Sequence, residues 1–72
     1  MEMPSIDFRM QTSRMLTELP KFKMAIRVLD TVIKEDDERV EAWYLLAYSF
    51  FKLKKWINAQ DCCMEVKKCL IK

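Results

Sequence analysis

Glycine is missing from all 72 positions of this chain, and so is histidine. Without glycine, phosphate-cradling loops and hairpin turns that need positive φ are excluded, and helix becomes the default. Without histidine, no nucleophile meets a general base at any spacing the chain offers. The acidic run Glu35 to Glu38 reads as an exposed inter-repeat turn. We therefore expect no enzyme, no catalytic residue and no cofactor.

Cysteine is scarce and oddly counted: Cys62, Cys63 and Cys69 fall in the last eleven residues, where a disulfide would close only a trivial loop. A metal site is disfavoured too. Helical spacing puts Cys62 and Cys69 on one side, turns Cys63 toward the core, and leaves no histidine to complete four ligands. Net charge is only +2, short of the basic excess that drives nucleic-acid binding. Six lysines, Lys52, Lys54, Lys55, Lys67, Lys68 and Lys72, fit a solvated face better than an RNA site. The N-terminus MEMPSIDFRM lacks a secretory apolar core. The expected location is cytoplasmic, with a nuclear one possible.

A long hydrophobic run is nearly present. EAWYLLAYSFFK, from Glu41 to Lys52, is apolar almost all the way round, yet a membrane span needs about 20 such residues and this run stops at lysines. No membrane association is expected. The chain is 51% apolar, enough for one small domain with a marginal core.

What is present reads as four helices. Ser5 caps the first, with Asp7 in its first turn, and Pro20 ends it. The second runs from about Lys21 to Glu35, with Phe22, Ala25, Ile26, Leu29, Val32 and Ile33 on one face. Asp36 or Asp37 caps the third, which carries Glu38 and Glu41 early and Lys52 and Lys54 late. The fourth starts near Lys55 and buries Ala59, Cys63, Val66 and Leu70.

Shifting the sequence by 34 residues superposes Leu19 on Leu53, Lys21 on Lys55, Ala25 on Ala59, Val32 on Val66 and Lys34 on Lys68. Phe22 meets Trp56, Leu16 meets Phe50 and Ser13 meets Ala47. A two-helix unit of that period is the signature of one repeat class. Trp43-x2-Leu46-Ala47-x2-Phe50, followed by Trp56, Ala59 and Cys63, resembles the tetratricopeptide repeat. The first unit departs from it, with Arg9 for the tryptophan and Thr12 for the leucine. Asp37 and Ile71 stand where the closing prolines belong.

The resemblance implies an all-α fold: two helix-turn-helix repeats, about 5–37 and 38–72, in a short right-handed α-solenoid that is a fragment of a longer array. Ala25, Ala59, Ser13 and Ala47 would sit at close helix crossings. A turn residue normally glycine would be Lys54, so Lys54→Gly should stabilise. First helices would line a concave groove through Asp7, Met10, Arg14, Glu41, Tyr44, Tyr48, Phe51 and Lys52, with Thr17 and Glu18 beside them.

Such a groove suits a partner's peptide or helix. The alternative is that the first helix or a neighbouring repeat covers Tyr44, Tyr48 and Phe51. The family's clamp for C-terminal carboxylates is disfavoured, because Met10, Tyr44, Leu45 and Tyr48 occupy its positions. EDDERVEAWYLL also resembles repeats of chaperones that escort a newly made large-subunit ribosomal protein, which implies a basic client. The expected function is a protein-interaction module, scaffold or chaperone adaptor. A homodimer or structural homo-oligomer built through Ile57, Met64, Leu70 and Ile71 is the other reading, and an RNA-associated adaptor the third.

Overall fold

The computed structural model describes residues 4–71. Among them are four helices and no strand: α1 (Ile6–Glu18), α2 (Phe22–Glu35), α3 (Val40–Lys52) and α4 (Trp56–Leu70). Each packs against the next in chain order, and α1 also touches α3 lightly, while α4 packs against α3 alone. That is the packing of a helical repeat array. The stack is open at its ends, exposing 5343 Å² where a compact monomer of this mass would expose about 4700 Å².

The helix boundaries follow from local chemistry. The Ser5 hydroxyl accepts the Phe8 N–H at 3.2 Å, as expected of an N-cap. α1 and α3 end alike: Lys21 N–H returns to Leu16 O at 2.8 Å, and Lys55 N–H to Phe50 O at 2.9 Å. These six-to-one bonds close Schellman motifs. Lys54, which turns the second corner, has a positive φ of 63°, and Pro20 is its counterpart at the first. These corners lie 34 residues apart, so the backbone repeats with the period of the sequence.

The core lies between the first three helices, where Met10, Ser13, Ala25, Leu29, Val32 and Ala42 are fully buried. The apolar face expected on α2 is the one that packs, with Ile26 and Ile33 at its margin. On α3, Leu46 and Ala47 are buried as expected, and Ala42, Leu45 and Ser49 join them. α3 packs on helices at both sides, which accounts for its nearly continuous apolar run. Ala25 and Ala59, each the fourth residue of its helix, are both buried.

Three expectations are corrected. Arg39 rather than Asp36 or Asp37 occupies the N-cap of α3 and supplies no side-chain capping bond. Asp36 instead turns back to accept the Glu38 N–H at 3.2 Å, closing a local Asx turn. Cys62, not Cys63, is buried on α4, and Leu70 is exposed, so the helix is rotated from the face read in the sequence. Met10 is 1% exposed and belongs to the core, because α3 lies over it.

Candidate functional site

α3 and α4 enclose an open apolar cleft of about 400 Å³ whose floor is Ala47 and Ala59. Its walls are Tyr44, Tyr48 and Phe51 from α3 and Trp56, Gln60 and Cys63 from α4. The small residues matter sterically: Ala59 lets α4 approach α3, and the larger side chains then stand up on either side. Phe51 and Trp56 meet edge to face with ring centroids 5.2 Å apart. Tyr44, Phe51 and Trp56 are each more than half exposed. Aromatic side chains holding that much surface in water are what a binding partner can bury at low entropic cost.

Tyr48 is held from two sides. Its ring lies 5.9 Å from that of Phe22, and the Lys52 ammonium sits 5.5 Å above its centroid. Lys52 thus reaches the aromatic face as expected, through a cation–π contact.

The charged positions expected in the groove largely engage one another. Arg14 grips Glu41 with two nitrogens, Nε to Oε2 at 2.6 Å and a second contact to Oε1. That hydrogen bond holds the Glu41 carboxyl below its ordinary range and raises Arg14. Asp7 pairs with Arg39 at 3.2 Å. Both pairs join α1 to the start of α3, so they fix one repeat against the next and remain exposed to a ligand.

Sequence reasoning placed Tyr44, Tyr48, Phe51 and Lys52 together on α3, and the structure groups them. It did not place Trp56, Gln60 and Cys63 beside them. The signal was available in the 34-residue shift, which maps the cleft onto Ser13, Phe22, Ala25 and Leu29, the seat that α3 covers in the first repeat.

Ile57, Met64, Leu70 and Ile71 are all exposed, at 53% or more. Their counterparts one repeat earlier are Lys23, Asp30, Asp36 and Asp37. Continued stacking therefore does not explain their apolar character. The lysines divide between the two ends of α4, Lys54 and Lys55 before it and Lys67 and Lys68 in its last turn. That separation of roughly 20 Å breaks up any single phosphate-binding stripe. Lys72 lies outside the described residues. Burial pushes the Cys62 thiol up to about 11, which leaves it a packing group, while Cys63 is exposed. Among the described residues no three potential ligands gather around a metal position. No described helix is long and apolar enough to cross a membrane.

A 42-residue stretch of the chain is 45% identical to a protein of Emericella nidulans described as a probable assembly chaperone of rpl4. The similarity covers 58% of this chain and 11% of that protein, so the chain spans about a tenth of its relative's length. No family model matches the chain, and no solved structure matches it.

Proposed function

We propose that the chain is a non-catalytic protein-interaction module of tetratricopeptide type, acting as an assembly-chaperone adaptor on a helix or extended peptide of its client. One observation carries this reading: the aromatic cleft of α3 and α4 stands open, while the corresponding seat one repeat earlier is filled by a helix. A surface shaped to take a helix, and walled by Tyr44, Phe51 and Trp56, favours helix-in-groove recognition. The relative's name supports a protein client, and rpl4 is the first to test. A cytoplasmic or nuclear setting belongs to the same reading.

The test is titration calorimetry of the chain with purified rpl4, using wild type and a Tyr44→Ala, Phe51→Ala double variant. Loss of two partly exposed aromatic anchors should weaken binding at least about tenfold. Unchanged affinity in a variant whose helical circular dichroism matches wild type overturns the assignment of the cleft as the client site.

A second reading has its own observation. α4 exposes Ile57, Met64 and Leu70, and Ile71 just beyond its end, where the first repeat is charged, which suits a structural homo-oligomer held through these side chains.

A further inference from the structure

The internal duplication describes the occupant of the cleft as well as its shape. α3 packs on the first repeat, and one of its stripes, Ala42, Leu45, Ser49 and Leu53, is buried at the first three positions and partly buried at the last, where Leu53 borders Pro20 and Phe22. The corresponding positions of α1 are Phe8, Gln11, Met15 and Leu19, and every one is exposed. They fall at i, i+3, i+7 and i+11, one stripe of a helix. α1 thus presents to solvent the edge by which its counterpart seats.

We propose that a second copy of this chain lays α1 into the α3–α4 cleft, head to tail. Three observations on the molecule converge on that occupant. The first is continuity: the contact extends an interface the chain already makes between its own halves, with the same helix type in the same seat. The second is a matching cleft at the opposite end. Pro4, Phe8, Thr12 and Val28 border about 300 Å³ there, and the counterparts of the last three, Ala42, Leu46 and Cys62, are buried.

Charge is the third. After Glu41 the chain has six lysines against two acids, Asp61 and Glu65. In the register of the internal interface, Glu18 at the end of the incoming α1 comes to the corner bearing Lys54 and Lys55. Asp7 at its start, the counterpart of Glu41, comes to Tyr48, the counterpart of Arg14. In the first repeat that pair is the ion pair of Arg14 with Glu41; here a phenol replaces the guanidinium. Both termini of the incoming helix are acidic, and both ends of the seat are basic or donate hydrogen bonds.

The contact is heterologous, so it does not close on itself and grows a short linear stack with concentration. A client and a second copy compete for Tyr44 and Phe51. Only the terminal copy of a stack keeps a free cleft, and a client bound there would cap growth.

Sedimentation velocity on the full chain tests this with two variants, Met15→Glu on the stripe and Trp56→Glu in the cleft. Wild type should show species beyond the dimer that increase with concentration. Each variant alone should be monomeric, since each has lost one of two different surfaces. Mixed at equal concentration they should form a one-to-one dimer that grows no further, because only one intact head and one intact tail remain. Glu18→Lys, a milder change, should weaken stacking roughly three- to fivefold and recover when mixed with Lys55→Glu. If a variant loses its helical circular dichroism, this charge-swap pair supplies the reading instead. A wild type that stays monomeric at high concentration overturns the proposal. So does one that stops at a dimer, a mixture that fails to pair, or association abolished by Ile57→Lys and Ile71→Lys.

Discussion

The two halves of the chain share one backbone plan and differ in how much of it is covered. Leu29 and Cys63 hold the same place in α2 and α4, yet Leu29 is fully buried and Cys63 exposed. Arg9 and Trp43 hold the same place in α1 and α3. Trp43 Nε1 donates to Asp37 O at 2.7 Å, and Arg9 Nε donates to Pro4 O at 3.0 Å, so each ties its helix to the segment that precedes it. Arg9 goes further, reaching Thr31 at 3.1 Å and Glu35 at 2.6 Å while only 6% exposed. The lesson is that position in the stack, more than residue type, decides whether a repeat site is core or surface.

The sharpest way to break that comparison is to truncate both members of one pair. Leu29→Ala removes a fully buried side chain and should lower stability by about 3 kcal/mol, near the limit of so small a domain. Cys63→Ala at the equivalent place should stay within about 0.5 kcal/mol at low protein concentration. Urea unfolding of both decides it. Equal losses would mean that the second seat is filled in solution as the first is.

The two corners offer an intermediate effect. Lys54 holds φ of 63° and still donates to Phe51 O at 3.0 Å, whereas Pro20 has no N–H to give Thr17 O. Lys54→Gly removes the steric penalty of a side chain at positive φ and should stabilise by about 1 kcal/mol, raising Tm by roughly 4–8 °C. Pro20→Gly restores the missing donor, offset by a more flexible unfolded chain. A lower Tm for Lys54→Gly would show that this corner is relaxed as it stands.

Much of this fold was legible because the signals were local or periodic. Ser5, Pro20 and the α2 face from Phe22 to Ile33 mark helix ends and a buried stripe without reference to anything distant. The 34-residue shift marks the repeat. Rotation of α4 was not legible: Cys62 and Cys63 are adjacent and equally apolar, and only packing against α3 selects which turns inward. Met10 escaped for the same reason. Its place on the groove side of α1 is right by pattern, but α3 of the next repeat lies over it, and a pattern within one repeat does not show its neighbour. The α3 cap failed because Asp36 and Asp37 each offer a good capping group, and the chain uses Asp36 for an Asx turn instead.

The smallest effect concerns the joint between the halves. Arg14 reaches forward to Glu41, while its counterpart Tyr48 stacks with Phe22 and lies under the Lys52 ammonium. The pair is nearly half exposed on both sides, so solvent screens it strongly. Its hydrogen bond lowers the Glu41 carboxyl from an ordinary value of 4.5. A depressed carboxyl contributes stability above the unfolded value and loses it as pH falls through the folded one. Arg14→Gln should therefore lower Tm by roughly 1–4 °C at neutral pH, and the deficit should vanish once Glu41 is protonated in both proteins. Thermal melts from pH 7 down to about 3 measure it, with the range set by that carboxyl. A deficit that stays constant with pH would assign the effect to lost packing of the Arg14 stem on α3, and the first joint would then resemble the second, where Tyr48 packs without an ion pair.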